Sequence, residues 1–258
     1  MKHLKMIITA FSIVLIAASC KKQSVDPAPT PVATGKKLQS IATTGPAGAT
    51  NQSFTYDIQG KLIKEEDDDG YKTFEYNPNT VLIKDFNKLT NKLDVVVNGT
   101  TDNAGRLINF TSITFGSNNS QIPSTGQCTY DANGYLTQYK RISNNSVYTY
   151  DFTVTDGDYT QLTAHQNGMG GYTTLTDFYT DKKALSVIER NIPESFCYNN
   201  GLFGKPNTHL AKSVQEIPTG ALFPLWKNNM AYTLDNDGYV QTILTTGNGA
   251  LFTTYTFQ

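Results

Sequence analysis

One phrase occurs four times in this chain: FTYDIQGKL from Phe54, GTTDNAGRL from Gly99, CTYDANGYL from Cys128 and YTLDNDGYV from Tyr232. Aligned on the acid, the copies carry Asp57, Asp102, Asp131 and Asp235. A glycine follows three residues later (Gly60, Gly105, Gly134, Gly238), and an aliphatic residue two further on (Leu62, Leu107, Leu136, Val240). An aspartate at the first position of a type I turn hydrogen-bonds the backbone that follows it. A glycine at the fourth position adopts positive φ without a Cβ clash. Together they specify a hairpin with a turn and a bulge. That geometry sets Tyr56 opposite Leu62, Tyr130 opposite Leu136 and Leu234 opposite Val240, each pair on one face at the mouth of a hairpin. Thr101 and Leu107 form a weaker version.

Degenerate copies fill the gaps. EYNPNTVLI from Glu75 has Asn77 for the acid, VTDGDYTQL from Val154 turns at Asp156, and FYTDKKALSV from Phe178 keeps Asp181 without the glycine. From Asp57 the steps to Asn77, Asp102, Asp131, Asp156 and Asp181 are 20, 25, 29, 25 and 25 residues. A period in that range marks a repeat architecture, each unit holding two strands and their turns. SVYTYDFTV from Ser146 alternates apolar and polar residues with period two, and LIKEEDDDGYKTFEY reads as strand, acidic turn, strand. No helical stripe stands out beyond a short turn near Pro206 to Leu210. The fold class is therefore all-β: an antiparallel meander of repeated hairpins curled into a barrel or half-barrel, so that its apolar face is covered. The stretch from about 190 to 230 lacks the phrase. It holds Pro193, Pro206, Pro218 and Pro224 together with Phe196, Leu202, Phe203, Leu222 and Trp226. It reads as an irregular insert that packs on or plugs the sheet.

The N-terminus has a different grammar. Lys2 and Lys5 precede a short apolar run, Ile7 to Ala18, that ends in AASC. Residues 1–19 read as a signal peptide too short to span a bilayer, with Cys20 as the lipidated residue of a lipoprotein. Residues 20–37 carry Pro27, Pro29 and Pro31 and form a disordered tether. Residues 38–258 form a single β domain. Loss of residues 1–19 removes Lys2 and Lys5, leaving 19 basic and 22 acidic side chains and a formal charge of −3, no footprint for nucleic acid. A secreted chain permits a disulfide between Cys128 and Cys197. Cys128 also fills the apolar place that Phe54 and Tyr232 take in the phrase, which suits a buried thiol.

Catalytic spacings are missing. There is no Gly-x-Ser-x-Gly, His-Glu-x-x-His or Cys-x-x-Cys, and no cofactor motif. His165 and His209 stand alone. The DNDG and EDDDG runs resemble the start of a calcium loop, but the closing positions fall on Leu244 and Tyr76 instead of glutamate. The cluster Glu65 to Asp69 reads as a solvated turn. With 15 Tyr, 13 Phe and one Trp, the chain has rings to spare. Most fit the inner face of the meander, and Trp226, Phe203 and Tyr198 in the insert are the candidate platforms for a ligand.

YDANGYL resembles the YD repeats of bacterial surface and secreted proteins. With the lipid-attachment signal, the tether, GLFGKPNTHLAKS at Gly201 to Ser213 and the last hairpin at Asp235 to Val240, the chain is similar to Bacteroidota lipoproteins carrying a domain of unknown function with a porin-like fold. The resemblance implies a curled β-sheet on a lipid anchor at the outer membrane, and no activity. Lys21 and Lys22 stand where surface export favours acids, so the periplasmic face and the cell surface both stay open. The outward positions are Thr, Asn, Lys and Asp, unlike the lipid-facing rows of a membrane barrel. The expected role is non-enzymatic binding or scaffolding, with a glycan or an envelope protein as partner. The alternatives are a hydrolase with a cleft between sheet and insert, and a purely structural envelope protein.

Overall fold

In a computed structural model, which describes residues 35–116, 120–185, 201–247 and 249–258, the chain is a closed barrel of sixteen antiparallel strands. The first eight are β1 (Leu38–Gly45), β2 (Gly48–Tyr56), β3 (Leu62–Asp67), β4 (Gly70–Asn77), β5 (Thr80–Asn87), β6 (Lys92–Thr101), β7 (Leu107–Phe115) and β8 (Gln121–Tyr130). The second eight are β9 (Leu136–Ser143), β10 (Ser146–Thr155), β11 (Asp158–Gln166), β12 (Met169–Lys183), β13 (His209–Pro218), β14 (Trp226–Leu234), β15 (Val240–Thr246) and β16 (Leu251–Phe257). Each strand pairs with its neighbours in sequence, and β1 pairs with β16 to close the ring. No helix occurs among the described residues, and Pro206 to Thr208 is irregular chain leading into β13.

The four phrases fold alike. Gly60, Gly105, Gly134 and Gly238 have φ of 82°, 79°, 91° and 88°. Each glycine N–H donates to the carbonyl of its aspartate, at 2.9–3.1 Å. Each aspartate Oδ1 accepts the backbone N–H four residues on: Lys61, Arg106, Tyr135 and Tyr239, all at 2.8–2.9 Å. The pairings follow from this. Tyr56 faces Leu62, Thr101 faces Leu107, Tyr130 faces Leu136 and Leu234 faces Val240, so the weak copy adopts the same register as the strong ones. One residue further along, every copy shifts register, leaving Ile63, Ile108, Thr137 and Gln241 as the extra residue of a bulge. A bulge sharpens the local twist and bends the strand. Repeated around one rim, it helps the sheet coil until β16 meets β1.

Because consecutive strands run antiparallel, connections alternate between the two ends of the barrel. All four phrases connect an even strand to the next odd one and therefore crowd one end. The start of β1 and the C-terminus lie at the same end, where Lys37 and Gln258 exchange two backbone hydrogen bonds of 2.9 Å. The aliphatic residue of each phrase points inward and is 1–3% exposed. Around these residues the inner face gathers one core with Phe54, Val81, Phe110, Tyr139 and Phe152, and a smaller one with Leu210 and Ile243. Cys128 is buried on that face opposite Tyr139, the place the phrase assigns it. Cys197 and Tyr198 lie outside the described residues.

Three expectations need correction. The region 190–230 is not one insert, since β13 and most of β14 are wall strands within it. Among the described residues of the region, Gly201 to Thr208 alone serves as a plug. Leu202 and Phe203 are buried in the main core. Leu107 N–H donates to Leu202 O at 2.7 Å and Lys205 N–H to Gly134 O at 3.0 Å. Asp181 makes no turn, because it lies within β12, where the pairing with β13 shifts register between Phe178 and Lys183; without glycine, nothing reverses the chain. The acidic cluster is not wholly solvated. Glu65 follows the inward alternation of β3, is 2% exposed, and accepts a short hydrogen bond from Gln52 Nε2. It lies opposite Lys72, which is buried, points inward and sits 3.5 Å from Asp85. Asp67 does cap the turn, accepting from Asp69 and Gly70 N–H at 2.9 and 2.7 Å.

Tyrosine hydroxyls hold the plugged end. Tyr130 Oη donates to Leu107 O at 2.7 Å and, at 3.3 Å, to Leu202 O. Tyr159 Oη accepts from Leu136 N–H at 2.9 Å and donates to Lys205 O at 3.1 Å. Tyr56 Oη donates to Leu38 O at 2.8 Å. Burial pushes all three phenols above the ordinary range, Tyr56 to about 12, with the nearby Glu65 carboxylate adding to its rise. Raised folded-state values stabilise the fold fully while the phenol is protonated in both states. That stability falls as pH rises above the unfolded value of about 10. Phenolate absorbance followed against pH should therefore show an early exposed class and a late class that ionises only as the barrel unfolds. Complete ionisation near pH 10 with the circular dichroism unchanged would contradict this. Leu136→Ala should lower unfolding free energy by about 2–5 kcal/mol in a denaturant titration, whereas Ile58→Ala, at a turn tip that is 96% exposed, should change it by less than about 0.5 kcal/mol.

Candidate functional site

The alternation of β5 to β9 places two rows of side chains side by side on the outside of the barrel. Thr80, Thr100, Asn109, Gln127 and Lys140 are in register across the five strands. So are Leu82, Asn98, Thr111, Thr125 and Ile142. Between them, facing inward, runs Val81, Gly99, Phe110, Gly126 and Arg141. The outer face of a barrel is ordinarily convex. Here it is concave, and the two outer rows line a trough of about 780 Å³.

The glycines explain the concavity. The inner position three residues before the phrase aspartate is Phe54, Cys128 or Tyr232 in three copies and Gly99 in the fourth. A Cβ on Gly99 would lie 2.4 Å from Leu107 Cδ1 and 2.9 Å from Val81 Cγ1. A Cβ on Gly126 would lie 2.1 Å from the Phe110 ring and 2.9 Å from the Lys140 carbonyl oxygen. Phe110 thus fills the space that a side chain at Gly126 would need, Leu107 and Val81 close over Gly99, and the wall folds inward there. The Phe110 ring also stacks on Tyr139, with centroids 5.7 Å apart.

The trough offers amides at Asn98, Asn109 and Gln127, hydroxyls at four threonines and one cation, Lys140. Leu82 and Ile142 supply an apolar patch at either end of their row. Asn98, Asn109, Thr111, Thr125 and Gln127 are exposed. The lining holds no carboxylate, imidazole or thiol. Five strands at about 4.8 Å spacing make it roughly 19 Å long. Such a surface can hydrogen-bond an extended, uncharged or anionic polyhydroxyl molecule.

The sequence candidates lie elsewhere. Phe203 is 4% exposed inside the plugged end, with its ring against Tyr139, so its faces are already covered. Trp226 opens β14 at the opposite end, facing inward opposite Glu216. These two do not form one site. His209 Nδ1 lies 2.7 Å from Asp158, whose other oxygen accepts the N–H groups of Thr208 and His209 at 2.8 Å. That pair fastens the plug to β11. His165 lies 3.5 Å from Asp151 on the outer face. Among the described residues no cluster of three or more metal-ligating side chains occurs.

No family model matches the chain, and no curated protein matches it in sequence. Two solved structures share its fold. One is a porin-like protein from Bacteroides uniformis, with 15% identity and a TM-score of 0.63, over 86% of this chain and 96% of that one. The other is a porin-like protein from Bacteroides vulgatus, with 11% identity and a TM-score of 0.63, over 87% of this chain and 99% of that one. At these identities the likeness is one of fold. The polarity of this barrel differs from that of a membrane-spanning one, which needs an outward apolar band about 25 Å tall. Across β6 to β10 the outward residues include Asn98, Asn109, Thr125, Gln138, Lys140 and Asp151, while the apolar core lies inside.

If Phe110 holds the wall in, Gly126→Ala should destabilise the protein by about 1–3 kcal/mol through overpacking. Most of that cost should vanish in a Phe110→Ala background, as read from a double-mutant cycle of denaturant titrations. Additive effects would detach the trough from this contact.

Proposed function

We propose that this chain is a lipid-anchored protein of the bacterial outer membrane that binds a glycan in the outer trough without transforming it. The observation that carries the reading is the trough itself: neutral hydrogen-bonding side chains, held in register on a rigid sheet, in a concavity that the sequence creates with two glycines. Amide and hydroxyl rows suit the dense hydroxyls of a sugar chain, and Lys140 at one end suits a ligand with an acidic substituent. The lipid-attachment signal ending in Cys20 and the proline-bearing tether support attachment to a membrane, and the hydrophilic outer wall supports a domain standing in the aqueous phase beside it. Both the periplasmic face and the cell surface fit this arrangement.

The hydrolase alternative required a cleft between the sheet and an insert over 190–230. The described part of that region is a core plug and two wall strands, so it offers no such cleft. The trough brings no pair of carboxylates across a bound sugar. A purely structural role leaves the trough without a use.

A glycan array probed with the mature chain is expected to give a saturable hit. Asn109→Ala combined with Gln127→Ala should weaken it by about tenfold or more in calorimetry, since each removes hydrogen bonds worth about 0.5–1.5 kcal/mol. Binding indifferent to both substitutions would place the ligand elsewhere. An array blank for a folded protein would remove the glycan reading.

A further inference from the structure

The end of the barrel opposite the phrases has its own pattern. Four successive connections there lie next to one another on the rim: β11–β12, β13–β14, β15–β16 and β1–β2. Thr219 N–H donates to Gly171 O at 3.1 Å. Gly247 packs against Lys227 and Asn228, and Gly45 against Leu251. By sequence, residues 166–171, 217–229, 245–252 and 43–50 contain no Asp or Glu and a single cation, Lys227. Elsewhere on the rim the β3–β4 turn carries Asp67, Asp68 and Asp69, with Lys88 paired to Glu66 beside them.

On the uncharged arc, Leu222, Phe223 and Leu225 are 92%, 77% and 67% exposed, and Met169 beside them is 68% exposed. The loop that carries them is anchored at its base. Ala221 N–H donates to Pro218 O at 3.0 Å and Leu225 N–H to Glu216 O at 2.7 Å, so the apolar side chains are held outward. Trp226, the single tryptophan of the chain, follows directly.

We infer that this arc docks on a lipid bilayer, its Leu222–Leu225 loop entering the interface between headgroups and acyl chains. A few apolar side chains without a carboxylate, with Lys227 close by, match what that interface accepts. The tether permits the contact. Residues 20–36 span at most ~60 Å, whereas every strand but β12 has ten residues or fewer, which makes the wall about 35 Å high. A chain held at Cys20 therefore reaches the same bilayer with its far end. The inference is independent of the trough, so failure of either leaves the other standing.

The test uses the mature chain beginning at residue 21, so that no lipid holds it, with vesicles of phosphatidylethanolamine and phosphatidylglycerol. In a Phe223→Trp, Trp226→Phe variant, which puts the reporter on the exposed loop, emission is expected to shift to shorter wavelength and to be quenched by brominated acyl chains. Leu222→Ser with Phe223→Ser, both in the exposed loop, should weaken vesicle binding at least tenfold while leaving the circular dichroism unchanged. Emission that stays constant at saturating vesicle concentration overturns the inference, as does equal binding by the double variant. A shift that grows with protein concentration without vesicles overturns it in favour of self-association.

Discussion

The carboxylate that opens each Asp-x-x-Gly turn sets the register of the strands on either side of it. It accepts the N–H four residues ahead while the glycine, at positive φ, closes the turn beneath it. With that register fixed, the residue five places after the aspartate has no choice of face. Leu62, Leu107, Leu136 and Val240 all enter the interior. A slip of one residue would turn each strand's apolar set outward, so the hydrogen bonds at the turns and the burial of the core enforce each other. The bulge that follows every copy adds the bend that lets sixteen strands close.

Closure gives the two ends of the barrel different jobs. The end with the phrases collects the aliphatic anchors, the tyrosines and the plug, and Lys37 meets Gln258 there. Leu202 and Phe203 fill the interior at this end, and the plug's backbone groups are bonded to Gly134, Gly157 and Leu107. The other end carries the acidic β3–β4 turn and, across the rim, the exposed apolar loop after β13.

The wall is where the hydrophilic surface turns into a shaped one. A barrel needs only an inner apolar face and an outer polar face, and a uniform repeat would supply both without a concavity. Gly99 breaks the repeat at a position that otherwise holds a large residue, and Gly126 breaks it again one strand pair away. Phe110 occupies the space at Gly126, Leu107 and Val81 the space at Gly99, and the outer rows over them sink into a trough. The same inward turn that buries Phe110 brings Asn98, Asn109 and Gln127 onto one concave surface.

The strands, the turns, the facing pairs and the inward direction of Cys128 were legible in the sequence, because each depends on contacts within one hairpin and on a period of two. The replacement of a large residue by Gly99 in the weakest copy was legible too, as a defect in the repeat, although its consequence was not. Other features depended on residues far apart in the chain. Closure of the ring pairs β1 with β16. The plug needs Gly201 to Thr208 to meet turns more than forty residues away, and Glu65 finds its inner partners on neighbouring strands. Asp181 and the wall strands β13 and β14 were misread for a related reason. Their place is set by pairing with neighbours, which local turn chemistry does not encode. The sequence by itself determined the hairpin unit and its register, since short-range hydrogen bonds and side-chain alternation suffice for that. Only the tertiary structure decided how many units close the ring, which end holds the plug and where the wall caves in, because those are settled by non-local packing.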